Sequence, residues 1–284
     1  MINKKIIICS TVKNEEKNLP NFFSLINNIK SKFKDYFVCL VESDSNDKTL
    51  YFAKKKISDL KGVVINCSTK NIKFRTEKLA FCRNKYLDFV KNNKKLKKFD
   101  YLIVLDADNI NNLLKIDKII QTLMNAPKKW SALFANQKFI YYDIWPLRIK
   151  GFIDDDCYKR FIYDLNKLQP KESYKKNVSK LFYSIRHFKS RYIKVNSAFG
   201  GFGIYKLKDI IKLRYSSLNG KISEHVFLNM NLSQNKKNLY IDKELINSNG
   251  AFNEHYIKSL IYSYSNFFAN KLSNQFKKIY YQKK

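Results

Sequence analysis

Glycine and proline are scarce in this chain, at 7 and 4 of 284 residues. That scarcity excludes collagen-like repeats, proline-rich linkers and glycine-dense solenoids. Cys-x-x-Cys spacing is absent, and the five cysteines, Cys9, Cys39, Cys67, Cys82 and Cys157, are odd in number, with Cys9 and Cys39 inside apolar runs. They read as reduced core residues of a cytosolic protein. No stretch reaches the roughly 18 uninterrupted apolar residues that a membrane-spanning helix needs. The apolar start, Ile6 to Cys9, is also too short for the core of a secretory signal. The expected place is therefore the cytoplasm, with peripheral contact at the inner membrane face left open.

Acidic residues are few as well: 24 Asp and Glu against 55 Lys and Arg leave a net charge of +31. Such an excess suits nucleic acid, an anionic membrane surface or a phosphorylated substrate. A blander account competes with these, because the chain is crowded with Lys, Asn, Ile, Tyr and Phe, the residues of A/T-rich codons. What is plentiful is apolar surface, 45% hydrophobic and 15% aromatic, enough for a substantial core and too much for a disordered chain.

The apolar pattern alternates between strand and helix. A β-branched run at 5–10 precedes a helical pattern carrying Phe22, Phe23, Leu25, Ile26 and Ile29. Strands follow at 36–42 and 63–67, with a helix at 50–60 between them. A helix at 75–91 leads to the most apolar strand, 101–105. This alternation predicts an α/β fold with an open, mostly parallel sheet covered by helices on both faces. Beyond Asp108 the pattern loosens to a helix near 113–124, a strand at 132–140 and an aromatic segment at 141–148. The lysine-rich stretch 167–191 reads as a surface excursion or lid. Residues from 257 onward place apolar side chains at helical spacing among lysines. That makes a basic amphipathic helix, which either packs on the domain or lies on anionic lipid.

Ligands of open parallel sheets bind beyond the carboxyl ends of the strands, and the loops there are rich in polar residues. Ser, Asp and Asn also cap helices and make turns, so most of these positions have a structural account. Asp106 and Asp108 are harder to explain that way. In extended backbone, residues i and i+2 face alike, and two carboxylates held together repel unless a cation intervenes. Hard oxygen ligands of this kind suit Mg²⁺ or Mn²⁺ carrying phosphate oxygens, and such an ion offsets the charge that develops on a departing diphosphate.

The ordered set STVKNEE at 10–16, VESDSNDKT at 41–49, FCRN at 81–84 and LDADN at 105–109 resembles the GT-A fold glycosyltransferases, family 2-like in this half. The later segments YYDIWPLR, NSAFGGFGIYK and SEHVFLN are similar to a narrower group that includes fungal capsule-associated mannosyltransferases and bacterial homologues. The resemblance implies a catalytic domain over 1–256, with a nucleotide-sugar half to about 110 and an acceptor half beyond it, and a basic helical tail at 257–284. It implies that Thr11, Asn14 and Glu15 line the base and ribose pocket, with Glu42 and Asp44 at the sugar or base edge. Arg83 would reach the diphosphate, with Arg75 as a further phosphate contact, while Asp106 and Asp108 hold metal and ribose. His255 corresponds to the C-terminal histidine that many such enzymes use as a third metal ligand, although a lone histidine is more often structural.

Physical reading of the second half points to an acceptor site. Gly200 and Gly201, in so glycine-poor a chain, suggest either close backbone approach to a ligand or positive φ. Tyr142 and Trp145 offer flat faces to a sugar, unless they are core aromatics. Glu224 and His225 open a helix. Glu224 is either a favoured first-turn carboxylate or the general base that deprotonates an acceptor hydroxyl, with His225 as an acceptor contact beside it. The expected function is a hexosyltransferase moving sugar from a UDP- or GDP-type donor to a glycan or lipid-linked acceptor in surface polysaccharide synthesis. The alternatives are a nucleotidyltransferase, which would want a glycine-rich loop after the first strand, and a nucleic-acid-binding protein. The chain shows neither that loop nor any zinc, RNA-recognition or helix-turn-helix signature, so no nucleic acid partner is expected.

Overall fold

A computed structural model of the chain describes residues 2–250. His255 and the amphipathic tail expected at 257–284 lie outside the described residues. The first half alternates as β1 (Ile2–Val12), α1 (Leu19–Lys30), β2 (Phe33–Ser43), α2 (Thr49–Ile57), β3 (Gly62–Cys67), α3 (Arg75–Asn92) and β4 (Tyr101–Leu105). The second half adds α4 (Ile116–Asn125), β5 (Trp130–Gln137), α5 (Cys157–Asp164), α6 (Pro170–Asn177), β6 (Tyr192–Val195), β7 (Phe202–Lys206), α7 (Leu207–Ile210), α8 (Glu224–Gln234) and β8 (Asn238–Ser248).

All eight strands join one sheet in the order β3-β2-β1-β4-β7-β5-β8-β6. Parallel pairing links β1 with β2 and β4, and β2 with β3, while β7 runs antiparallel between β4 and β5. β8 is parallel to β5, and β6 closes the far edge antiparallel. The carboxyl ends of β1, β2, β4 and β5 therefore share one edge with the amino end of β7, and this edge is the mouth of the sheet.

The near-continuous apolar runs of β1 and β4 follow from burial on both faces. Ile7, Cys9, Leu102 and Val104 face α3 and α8, whereas Ile6, Ile8, Ile103 and Leu105 face α1, α2 and α4. Each such fully buried aliphatic side chain contributes about 1.5–3 kcal/mol, so the central strands form a stiff base for the loops at their ends. α3 buries Thr76, Ala80, Arg83, Leu87 and Val90 at helical spacing, which puts one arginine in an apolar stripe.

Two expectations change. The 167–191 stretch is not a free excursion: α6 and a 3₁₀ segment, Ser179–His187, bury Val178, Phe182 and Ile185 against the core. The glycine-containing run after Asn196 holds a full antiparallel strand, β7, that no apolar alternation announced. Among the described residues no helix is long and apolar enough to cross a membrane.

Candidate active site

The loops after β1 and β2 are sewn together. Asn14 donates its backbone N–H to Ser45 Oγ at 3.0 Å and accepts the Asn46 N–H on Oδ1 at 2.8 Å. The Glu15 N–H donates to Thr49 Oγ1, and the Glu16 carboxylate accepts the Lys48 N–H. Asn14, Asp44 and Asn109, one in each of the three mouth loops, all adopt positive φ, between 53° and 63°, a conformation that Asn and Asp tolerate better than most residues. Glu42 is buried and accepts the Ser45 N–H at 2.8 Å. Asp44 accepts from Ser68 Oγ and from both the N–H and Oγ1 of Thr69, and the Thr69 bonds hold its carboxyl down at about 2. Thr11, next to last in β1, is half-buried beside these loops. Much of the polar character of this region thus braces a rigid rim.

Asp106 and Asp108 stand where β4 ends. Their loop is anchored by a buried amide network. The Asp106 N–H donates to the Gly201 carbonyl at 2.9 Å, and Asn111 Nδ2 bridges the carbonyls of Asp106 and Gly201. Asn247 Nδ2 donates to Asn111 Oδ1 and to the Gly200 carbonyl, which also accepts from Gln137 Nε2. Gly200 and Gly201 have φ of +70° and +84°, and a Cβ on Gly201 would lie 2.6 Å from Ile110 Cγ2. Their glycine identity is explained by backbone conformation and packing against the protein itself.

Behind the pair lies a buried charge bridge. Arg83 is 3% exposed; its Nε donates to Glu224 Oε1 at 3.1 Å and its Nη2 to Asp106 Oδ1 at 3.3 Å. The guanidinium packs over the rings of Phe199 and Tyr215. Burial opposes its charge, but Tyr86, Asp106 and Glu224 override burial and its pKa is raised. Glu224 is itself buried, in the first turn of α8. His225 stacks on Phe199 at 3.8 Å, edge-on to Tyr215. Burial, then the Arg83 charge, holds its imidazole well below the usual pKa, so it is neutral. Asn229, one turn further along α8, donates to the Ala198 carbonyl and ties α8 to the 196–201 loop.

Burial pushes Asp106 up to about 7, against the pull of Arg83 and with Asp108 and Glu224 adding like charge, although 27% of its side chain stays open to solvent. Asp108, on the open rim, is raised by partial enclosure and then by Glu15. Glu15 is raised by burial, offset by Asn18 and supported by the neighbouring carboxylates Asp106 and Asp47. Glu15, Asp108 and Glu224 thus gather around Asp106 in a protein whose net charge is +31. Asp106, whose charge Arg83 meets on one oxygen, and Asp108 are hard oxygen donors at one strand end, a set that fits Mg²⁺ or Mn²⁺ taking further ligands from phosphate and water. Among the described residues no group of three or more His, Cys, Asp or Glu side chains gathers to hold a metal by itself.

Several expected contacts are redirected. Arg83 is too enclosed, and two of its three nitrogens too engaged, to be the exposed diphosphate clamp; it holds Asp106 and Glu224 in place. Arg75 is exposed at the start of α3, with its charge acting on Asp108. Trp145 is not an open platform: it is 2% exposed, and its Nε1 donates to Asp156 at 2.7 Å. His225, buried in its aromatic stack, is likewise not open to an acceptor. Tyr142 is half-buried near Gly201 and close enough to Asp106 and Asp108 for their charges to act on its phenol. Sequence reasoning missed the Phe199–Tyr215 clamp and the Asn111–Asn247–Gln137 network, whose partners lie far apart in the chain.

No protein-family model matches the sequence, and no curated protein is a recognisable relative. Solved structures do match. A mannosyltransferase from Pyrobaculum calidifontis, in complex with GDP-Man and Mn2+, aligns with a TM-score of 0.54 at 12% identity, over 95% of this chain and 66% of its own. S. aureus TarS 1-349 in complex with UDP aligns at 0.52 and 12% identity, over 95% and 68%. The same TarS segment in a second structure aligns at 0.50 and 13% identity, over 96% and 74%. The chain spans about two thirds of the length of the first two. Strand order, mouth and structural likeness agree, and the chain has the GT-A glycosyltransferase fold.

Proposed function

We propose that this chain is a metal-dependent glycosyltransferase that moves a hexose from a UDP- or GDP-type donor to a hydroxyl of a glycan or lipid-linked acceptor. The observation that carries this reading is the Asp106 and Asp108 pair at the mouth of a GT-A sheet, Asp106 half-buried against Arg83 and Asp108 exposed. Neighbours of the same fold, crystallised with GDP-Man and Mn2+ or with UDP, support the donor class.

Thr11, Asn14, Glu15, Glu42 and Asp44 form the wall for base and ribose, and the hydrogen bonds that Asn14, Glu15, Glu42 and Asp44 make with Ser45, Asn46, Thr49, Ser68 and Thr69 hold that wall rigid before the donor arrives. Asp106 and Asp108 hold the divalent ion, which when bound supplies Lewis-acid relief of the charge growing on the leaving diphosphate. Arg83 keeps the Asp106 carboxylate in one orientation, and Arg75 at the rim meets the phosphates. Tyr142 borders the acceptor. Glu224 is as buried as Arg83 and bonded to it through Oε1, so in this reading its other oxygen, Oε2, takes the proton of the attacking hydroxyl if the reaction inverts the anomeric centre, and Glu224 positions the site through Arg83 if it retains. His255 is the further metal ligand in this reading. The basic tail after residue 257 docks on anionic lipid, where each lysine near the surface contributes roughly 1 kcal/mol, and the product is surface polysaccharide.

The test is transfer from a panel of UDP- and GDP-sugars with Mn²⁺, repeated in Glu224→Gln. Turnover is expected to fall by about 10² to 10⁴ with donor affinity preserved. Unchanged transfer removes Glu224 from the chemistry, and lost donor binding makes its role structural.

A further inference from the structure

The 3₁₀ segment, Ser179–His187, runs for nine residues, longer than most helices of its kind. With about three residues per turn, side chains at i and i+3 line up along one face. Phe182 and Ile185 accordingly sink into the core, while Lys180, Tyr183 and Arg186 form an exposed stripe. The segment is tied to the chain that leaves β5 at the mouth edge. The Tyr141 N–H donates to the Phe182 carbonyl at 2.7 Å, and Arg186 Nη2 donates to the Phe139 carbonyl. Lys138 and Phe139, both exposed, are thereby set beside the stripe.

The Phe139 and Tyr183 rings are 52% and 46% exposed, and each carries a cation: Lys138 Nζ lies 5.2 Å from the Phe139 centroid and Arg186 Cζ 5.2 Å from that of Tyr183. Among the described residues, Lys138 and Lys180 have no carboxylate partner and Arg186 bonds only a carbonyl, so the three charges are uncompensated. Phe152, also exposed, extends the apolar border by packing on His187 and Phe188. The acids that follow Phe152 in sequence are engaged, Asp154 by the Gly151 N–H and Asp155 by Arg160. Rings held in water beside unpaired cations complement the headgroup layer of an anionic membrane, where apolar edges enter the acyl boundary and cations meet lipid phosphate. Single-stranded nucleic acid also takes rings and cations, but it stacks bases on open ring faces, and here a cation already covers one face of each ring. We infer that this face, at the rim of the mouth, docks on an anionic lipid surface and holds the mouth beside the headgroups from which a lipid-linked acceptor is presented. Its role rests on the proposed transferase reading, but the docking is measurable without transfer.

The test uses the full chain carrying Phe139→Trp, whose emission is read against the buried Trp130 and Trp145. Vesicles of phosphatidylglycerol mixed with phosphatidylcholine should shift that emission to shorter wavelength, and brominated lipid in them should quench it; phosphatidylcholine alone should do neither. Tyr183→Trp supplies the same reading if Phe139→Trp does not fold. Lys138→Gln and Lys180→Gln, with Tm unchanged, should each weaken vesicle binding about fivefold, the share expected of one cation near an anionic surface. The inference is overturned if neither tryptophan responds, if neutral vesicles act as strongly, if the lysine variants bind as the parent does, or if single-stranded RNA binds more tightly and displaces the vesicles. Calorimetry of UDP- and GDP-sugars with Mn²⁺ on the same samples separates the two claims. Donor binding without a vesicle response rejects the docking face alone, and a vesicle response without donor binding rejects the transferase reading alone.

Discussion

Replacing Arg83 by methionine removes the cation that bridges Asp106 and Glu224. The guanidinium is 3% exposed and meets Glu224 at 3.1 Å and Asp106 at 3.3 Å. Methionine fills much of the space but leaves both carboxylates uncompensated. Removing one partner of a buried pair costs about 3–5 kcal/mol. Because Asp106 keeps 27% of its side chain in solvent, water relieves part of its charge, and a loss near the lower end, about 3 kcal/mol, is expected. Urea denaturation of the parent, Arg83→Met, Glu224→Met and the double variant measures this. Since the double variant leaves no unpaired Glu224 charge, although Asp106 remains, it should lose less than the sum of the singles by about 1–3 kcal/mol. A loss under about 1 kcal/mol for Arg83→Met, or strict additivity, would refute the bridge.

Two further predictions follow from the mouth loops. Gly201→Ala forces a Cβ to within 2.6 Å of Ile110 Cγ2 at a φ of +84°; a cost of about 1–3 kcal/mol should appear as a lower Tm together with weakened Mn²⁺-dependent donor binding, and an unchanged Tm contradicts the packing account. Asp44, whose carboxyl drops from 3.8 to about 2 on folding, contributes stability that is present above about pH 4 and lost as the pH falls through 2. Asp44→Asn should therefore lower Tm at neutral pH, with the gap from the parent closing between pH 4 and 2, and a gap independent of pH would rule out this linkage.

What was legible in the sequence was local. The apolar runs of β1, β2 and β4, each followed by a polar loop, announce the parallel half and its mouth, and the i, i+2 spacing of Asp106 and Asp108 sets both at one strand end. What was not legible depends on distant partners. The amide of Asn111 meets Asn247 across 136 residues, and no local pattern distinguishes these from ordinary loop asparagines. Arg83 was expected at the diphosphate from the resemblance alone, yet its spacing from Ala80, Leu87 and Val90 on α3 already put it on the buried stripe. Trp145 reads equally as platform or core until Asp156 is found accepting its Nε1–H. The 167–191 stretch was misjudged on lysine content, although Val178, Phe182 and Ile185 repeat at helical spacing. β7 is only five residues long, follows two glycines and carries a third, and its antiparallel pairing depends on β4 and β5 together.

The central claim is that Asp106 and Asp108 bind the diphosphate of a nucleotide sugar through a divalent ion. Calorimetric titration of GDP-mannose and of UDP-sugars into the full chain, with Mn²⁺ and with EDTA, tests it directly. Binding should require Mn²⁺ in the parent and be lost in Asp106→Asn and in Asp108→Asn, while both variants unfold as cooperatively as the parent. Equal binding in EDTA, or full Mn²⁺-dependent binding retained in both variants, would contradict the account.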